Sequence, residues 1–411
     1  MLIANVDVKK LKEKYDTPLY IYDANHIKKN ISLYKNNFIS KRFKTEIAFA
    51  SKAFQVKEML RLISKENLSL DSVSLGELYT AVNVRFPMNN VYFHGNNKSF
   101  YDLEYAIRNG VGHIVVDGLM ELYDIEEIAK NIKKNVNILI RLNLGVDAHT
   151  HKFIVTSHVD SKFGVSYTSD EFTDMMSFIN NSKYIKFEGF HSHIGSQIFD
   201  MSGFETAIEK LVIITKDFKN DLILNIGGGF GVKYTNNDKP IPLDIVSKRL
   251  ISITEQLIDK HETSISKLVI EPGRSIVAEA GYTLYTIGNI KKTLNKLYYF
   301  IDGGMTDNIR PALYDAKYSA DIVGKENELK NQIVSVAGKC CESGDIIIDR
   351  IALPKANKGD LMITYTTGAY GYTMSSNYNK ALRPAVVFVE DGKDKLVVKR
   401  QTLEDLIKDE V

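Results

Sequence analysis

The sequence predicts a (β/α)8 barrel followed by a β-rich, Greek-key-like second domain. Three observations lead there. Short strand-like runs alternate with helical periodicity as far as residue 272, eight such runs occur, and helical patterning nearly vanishes after Gly281. Apolar residues at 3.6-residue spacing mark the helices, as in Ile27, Ile31, Tyr34 and Phe38 behind the N-cap candidate Asp23, and in Val56, Met59, Leu60 and Ile63. Between the helices lie Glu46–Ala50, Leu68–Val73, Val91–Phe93, His113–Val116, Asn137–Asn143, Lys186–Ser192, Leu222–Ile226 and Lys267–Glu271. Eight strands alternating with helices over about 250 residues is the barrel pattern. A doubly wound open sheet is the competing architecture. After Gly281, the runs Tyr282–Ile290, Lys296–Ile301, Asp345–Ile351, Asp360–Thr366 and Ala385–Val389 read as strands. An Asp391–Gly392 hairpin turn precedes Lys395–Lys399, and a tail helix is expected after Thr402.

A length of 411 residues allows two domains or three. With 44% apolar and 25% charged residues the composition is that of a globular chain. The net charge of +2, with both signs spread along the chain, gives no reason to expect nucleic acid or an anionic membrane as partner. No run of about 18 uncharged apolar residues is present, and the opening residues lack the apolar stretch of a signal peptide. The two cysteines, Cys340 and Cys341, are adjacent, which excludes a disulfide framework and a cysteine-built metal site. A reducing cytoplasm is the simplest expectation.

Barrel active sites lie at the C-terminal ends of the strands. The residues expected there are Ser51-Lys52, Ser74, His94, Asn143, His193, Gly227-Gly228-Gly229, and Glu271 with Arg274, a set of polar, ionisable or glycine residues. Lys52 follows Ile47-Ala48-Phe49-Ala50-Ser51. A lysine at an apolar strand end is partly desolvated and becomes nucleophilic, the alternative being a surface lysine in the next loop. Consecutive glycines let backbone N–H groups converge on a phosphate, although a tight turn accounts for them equally. His191 and His193 fall on one face of a strand by period 2 and are expected to point inward together. They read either as a metal pair, with His149 and His151 forming a second H-x-H, or as a neutral imidazole stacked on a flat ring. In Glu271-Pro272-Gly273-Arg274 the carboxylate suits a protonated pyridine nitrogen and the guanidinium a carboxylate or phosphate; a local ion pair is the plainer reading. Cys340-Cys341-Glu342-Ser343-Gly344-Asp345 combines a thiol suited to protonating a carbanion with a carboxylate. Arg310-Pro311-Ala312-Leu313-Tyr314 adds a guanidinium and a phenol one turn apart.

Taken together, these motifs resemble the PLP-dependent decarboxylases with an alanine-racemase-like barrel, and among them the diaminopimelate decarboxylases. The resemblance runs from Thr17-Pro18-Leu19-Tyr20-Ile21-Tyr22-Asp23 to Gly368-Ala369-Tyr370 and Ser376-Asn377-Tyr378-Asn379. It includes Lys52-Ala53, Asp71-Ser72-Val73-Ser74, Gly76-Glu77, His94-Gly95-Asn96-Asn97-Lys98, Ser161-Lys162-Phe163-Gly164 and His193-Ile194-Gly195-Ser196-Gln197. It implies pyridoxal 5'-phosphate held as an imine on Lys52, His193 stacked on its ring, and Glu271 paired with the ring nitrogen. Ser196, Gly227, Gly228, Gly229 and Tyr378 would hold the phosphate, with Gly273 and Arg274 beside the cofactor. Arg274, Arg310, Tyr314 and Tyr378 would bind the substrate, Glu342 would read its distal ammonium, and Cys341 would protonate the carbon that lost carbon dioxide. The implied reaction is decarboxylation of meso-2,6-diaminopimelate to L-lysine, the last step of lysine biosynthesis. Cys341 and Glu342 would reach into the partner subunit's site of a homodimer. The implied division is a PLP-binding barrel over 25–280 and a β-domain over 281–411, joined by an N-terminal strand within 1–24 near Leu19–Tyr22. No metal is expected.

The sequence departs from the family pattern at Arg141-Leu142-Asn143-Leu144, at Thr156-Ser157, at Ser74-Leu75-Gly76 and in the doubled thiol. Rival readings are a decarboxylase of ornithine, arginine or lysine, a racemase, a catalytically dead regulatory homologue, and a zinc hydrolase. Two arginines facing a simple distal amine would cost several kcal/mol of like-charge and desolvation mismatch, which disfavours the first. A racemase needs a base opposite the lysine and usually carries an arginine, not a carboxylate, where Glu271 stands.

Overall fold

The computed structural model describes residues 1–146 and 161–411. The chain forms two compact units, one made of residues 31–231 and 240–273, the other of 1–30, 232–239 and 274–411.

The first unit is a closed barrel of eight parallel strands: β1 (Lys44–Ala50), β2 (Ser69–Ser72), β3 (Val91–Phe93), β4 (His113–Val116), β5 (Val136–Arg141), β6 (Ile185–His191), β7 (Leu222–Asn225) and β8 (Ile265–Ile270). β8 closes onto β1 through Lys267↔Lys44 to Ile270↔Ile47. All eight expected strands are present, so the open-sheet alternative falls. Ala48, Tyr92, Val115, Leu139, Ile223 and Val269 pack as one buried cluster contributed by six of the strands. The barrel interior is therefore a packed core rather than a pore, and chemistry is left to the strand ends. Local signals place the helices between the strands. Ser74 caps Leu75–Asn83 by accepting from the Glu77 N–H, and Ser99 closes a capping box with Asp102 on Phe100–Arg108.

The second unit is a mixed sheet ordered Ile346–Leu353, Gln332–Ala337, Leu297–Ile301, Gly281–Lys292, Leu19–Asp23, Ala385–Glu390 and Lys393–Val398. Leu19–Asp23 does join it, antiparallel to Gly281–Lys292 and parallel to Ala385–Glu390. Its core gathers Val8, Leu11, Leu19, Ile21, Leu284, Ile363, Val387 and Val389. Elements outside the sequence expectation include the strands Gln332–Ala337 and Ala320–Ile322 and the amphipathic helix Val8–Tyr15. Ala320–Ile322 has three residues, too few for a period to show, and is made a strand by pairing with Leu361–Thr364. Helical patterning after Gly281 is confined to short segments, Arg310–Tyr314 and the tail helix Leu403–Ile407 among them. His149, His151, Thr156 and Ser157 lie outside the described residues.

Candidate active site

Lys52 sits on a single helical turn, Ser51–Ala53, directly after β1. Glu77 anchors that turn. Its carboxylate accepts from Ser51 Oγ at 2.8 Å and from the Val73 N–H at 2.7 Å, tying the ends of β1 and β2 together. Burial pushes the Glu77 carboxyl up, and these two donors draw it back. Lys52 Nζ lies 3.4 Å from the buried Asp71 carboxylate on β2. Lys52 keeps 41% of its side-chain surface exposed, so it is anchored by an ion pair and remains reachable.

Glu271 follows β8 and is buried. His94 Nε2 lies 2.8 Å from Oε1, the Asn225 amide donates to Oε1 at 2.7 Å, and His191 Nε2 lies 3.2 Å from Oε2. Burial by itself would raise this carboxyl, but His94 and His191 hold it well below the ordinary carboxylate range. Burial lowers His191 to about 3, so its ring is neutral and serves Glu271 as an Nε2–H donor. With the proton on Nε2, His191 Nδ1 is a buried acceptor that has no hydrogen-bond partner among the described residues. The ligand atoms of His94, His191 and Glu271 lie within 4.8 Å of one another, a spacing that also suits a cation.

His191 and His193, which period 2 sets on one face, take different hydrogen-bond partners. β6 ends at His191, and beyond it the backbone turns, reaching Gly195 with φ +147°. His191 meets Glu271, whereas His193 Nδ1 accepts from the Gly228 N–H at 3.2 Å. Burial, followed by the charge of Lys52, pushes His193 well below its usual value and leaves a neutral ring.

The triple glycine leaves β7 in close contact with its neighbours. A Cβ on Gly228 would lie 2.1 Å from the Glu271 carbonyl oxygen, and one on Gly229 would lie 2.3 Å from that of Gly195. The Gly227 N–H is used by Asn225 Oδ1 at 3.0 Å and the Gly228 N–H by His193, so of the three Gly229 is the one whose N–H meets no acceptor among the described residues. Gly273 packs against Ala50 and Ala53, bringing the end of β8 onto the Lys52 turn.

These residues fit pyridoxal phosphate. Three of the four lone-pair sites of a buried, ionised carboxylate are taken, which leaves one for a pyridinium N–H. A neutral imidazole, a reachable lysine and a glycine turn with a spare N–H complete the set.

In the second unit Arg274 and Arg310 are both buried. Arg274 Nη1 donates to the Tyr234 hydroxyl, and its guanidinium lies 4.9 Å from the Tyr370 ring. Arg310, on the helix Arg310–Tyr314, donates to the Tyr318 hydroxyl. The phenol that accepts from Arg310 is thus Tyr318, eight residues on, rather than Tyr314. Tyr234, Tyr318, Asp71 and Asn225 were missed as site residues. Asp71 alone had a signal, its place in the Asp71-Ser72-Val73-Ser74 motif. Cys341 is exposed, and Cys340 is half-buried with its thiol pushed up to about 11 by burial and by Asp345. The Cys341 N–H donates to Asn379 Oδ1 at 3.1 Å, which joins the thiol loop to the segment carrying Tyr378. Glu342 is exposed.

Comparison with known proteins agrees with this chemistry. Residues 24–278 match the family described as pyridoxal-dependent decarboxylase, pyridoxal binding domain. The diaminopimelate decarboxylase of Bacillus subtilis (strain 168) is 45% identical over 412 aligned positions, covering 99% of this chain and 94% of the relative. That of Mycobacterium tuberculosis is 37% identical, covering 100% and 94%. Among solved structures, Helicobacter pylori diaminopimelate decarboxylase complexed with L-lysine superposes with a TM-score of 0.89 at 32% identity, over 98% of each chain. A Vibrio vulnificus lysine/ornithine decarboxylase, at 22% identity and a TM-score of 0.76, shares the fold. The chain belongs to the pyridoxal-dependent decarboxylase family, among the diaminopimelate decarboxylases.

Proposed function

We propose that this chain decarboxylates meso-2,6-diaminopimelate to L-lysine and carbon dioxide with pyridoxal 5'-phosphate. The observation that carries the reading is Glu271, a buried carboxylate kept ionised by three side chains at the same strand ends as Lys52 and His193. When bound, the cofactor supplies an electron sink for the carbanion left by loss of carbon dioxide.

The chain's own residues do the rest. Lys52 anchors the cofactor, and Asp71 holds its amine in place and balances its charge whenever the amine is free. Glu271 would hold the ring nitrogen with its remaining lone pair, and its negative charge would favour a protonated pyridine there. His193, neutral, offers a flat face without competing for a proton. Ser196 and the Gly227–Gly229 turn, with Tyr378, hold the phosphate, the Gly229 N–H being the free donor. Arg274, Arg310 and Tyr314 receive the distal carboxylate and Glu342 the distal ammonium. Cys341 delivers the proton to the α-carbon.

The active form is a homodimer in which Cys341 and Glu342 serve the partner's site; the exposure of both in the single chain supports this. Two unpaired cysteines support a cytoplasmic setting. Among the described residues no helix is long and apolar enough to cross a membrane.

Purified protein incubated with meso-diaminopimelate should release L-lysine and carbon dioxide in equal amounts. Turnover of ornithine or arginine in its place would refute the substrate, and stoichiometric zinc without pyridoxal phosphate would refute the cofactor.

A further inference from the structure

Tyr92, Val115, Leu139, Ile223 and Val269 fill the barrel core from β3, β4, β5, β7 and β8. Side chains alternate along a strand with period two, so the residues two further on face the same interior. They are His94, Asp117, Arg141, Asn225 and Glu271. His94 and Asn225 bond Glu271. Arg141, the last residue of β5, stands in register with His191, which bonds Glu271 too, yet it takes no part in that network itself.

The Arg141 side chain keeps only 12% of its surface exposed. Its guanidinium lies 4.4 Å from the Phe163 ring centroid, and its Nε lies 3.9 Å from Asp117 Oδ1, too far for a hydrogen bond. Asp117 Oδ1 has no hydrogen-bond partner either. Among the described residues no acceptor meets the Arg141 guanidinium. A stacked ring and a loose ion pair fix its plane but leave its forked donors unspent. A mostly buried cation in that state is costly unless an anion meets it. Besides Asp117, the charges that act on it are those of Glu271 and Asp71, and its own charge acts on His191 and His193. These are the groups gathered around the place described for the cofactor.

The cofactor and an α-amino acid bring a phosphate, a ring hydroxyl oxygen and the reacting carboxylate to this end of the barrel. The phosphate has Ser196 and the Gly229 N–H. A guanidinium clamped on the reacting carboxylate would stabilise a charge that is lost as carbon dioxide leaves, and so would raise the barrel's own barrier to reaction. The ring oxygen, next to the aldehyde carbon, has no partner yet. Other cations at these strand ends are engaged. Lys98 Nζ lies 2.6 Å from Glu121 and donates to the Gly95 and Val115 carbonyls, and Lys52 goes to the aldehyde.

We propose that Arg141 binds the ionised 3-hydroxyl oxygen of pyridoxal phosphate through its Nη groups, with Asp117 and Phe163 as positioning residues that hold the guanidinium plane. The inference rests on the reading that Lys52 takes the cofactor's aldehyde carbon. A cation at that oxygen favours its ionised form and lowers the proton affinity of the neighbouring imine.

The test is reconstitution of the full-length apoprotein with pyridoxal phosphate and with its 3-deoxy analogue, which lacks only that oxygen. Kd is read by equilibrium dialysis. The preference of wild type for pyridoxal phosphate should exceed that of Arg141→Met by about tenfold or more, the loss of one charge-assisted contact. Arg141→Lys, which keeps the charge, should keep much of the preference. The visible band of the Arg141→Met holoenzyme should titrate about one pH unit higher than that of wild type, because a neighbouring positive charge is gone. A role in barrel packing alone would change stability and move neither readout. In wild type alone, the preference should exceed by about tenfold that shown by N-acetyl-lysine forming the same imines in solution, a comparison that stands if neither variant folds. Equal preferences in that comparison, equal preferences in wild type and Arg141→Met, or an unmoved band would overturn the role of Arg141. A raised KM for meso-diaminopimelate with both readouts unmoved would assign the guanidinium to the reacting carboxylate and overturn it likewise. Failure of borohydride to fix the cofactor on Lys52 would instead overturn the reading beneath it.

Discussion

Asn225 and Glu271 meet across 2.7 Å, the amide at the end of β7 donating to the carboxylate that follows β8. Replacing Asn225 with Asp would set two carboxylates within hydrogen-bond reach in a buried place, where both do not ionise together at neutral pH. The expected result is a kcat down roughly 100-fold at pH 7, about 3 kcal/mol in the barrier, with the acid limb of the pH–rate profile moved upward. Steady-state rates from pH 6 to 9 measure this. An unchanged profile would remove Asn225 from the network.

His191 makes stability depend on pH. Its folded value is about 3, against an ordinary value of 6.5, because burial disfavours the charged ring. Between these values the unfolded chain binds the proton and the folded chain does not, so stability rises with pH across that window and is lost as pH falls through it. The slope from this one group is at most about 1.4 kcal/mol per pH unit. His191→Gln keeps a donor for Glu271 and removes the titration. Urea midpoints at pH 5 and pH 7 should therefore differ less in the variant than in wild type.

Arg310→Ala should leave the cofactor bound, with its visible absorption intact, and raise KM for meso-diaminopimelate. Loss of a buried charge-assisted contact of about 3 kcal/mol corresponds to roughly 100-fold. A variant with wild-type kinetics on diaminopimelate would contradict the placement of the distal carboxylate.

The two cysteines should behave differently. Cys341 is exposed, whereas Cys340 is half-buried with its thiol held protonated beside Asp345. Cys341→Ala should abolish turnover, and Cys340→Ala should retain most of it. Lys52→Ala should lose the covalent cofactor, seen as the absence of a borohydride-fixed adduct by mass. Mixing inactive Lys52→Ala with inactive Cys341→Ala should then restore about a quarter of wild-type activity if the subunits exchange and share sites. No restoration after verified exchange would argue for sites complete within one chain.

Much of this was legible locally. The eight barrel strands and the positions of Lys52, His193, Gly227–Gly229 and Glu271 at their ends follow from periodicities of two and 3.6, which are properties of neighbouring residues. What that periodicity could not carry was where a strand stops. His191 and His193 look equivalent by spacing, yet the chain leaves the strand at His191 and sends the two rings to different partners.

The sequence by itself determined the barrel, the alternation of its elements and the inventory of groups that reach the active end. Only the tertiary structure decided which of them act together. His94 and Glu271 are 177 residues apart and Asn225 and Glu271 are 46 apart, so no local pattern joins them. Tyr234 comes from a segment far along the chain from Arg310 and Tyr318, and neither phenol is marked in its own surroundings. Burial then settles the charges, because a low dielectric turns a distance of about 3 Å into a choice of protonation state. A carboxylate and an imidazole that would titrate ordinarily in water become here a fixed anion and a neutral donor.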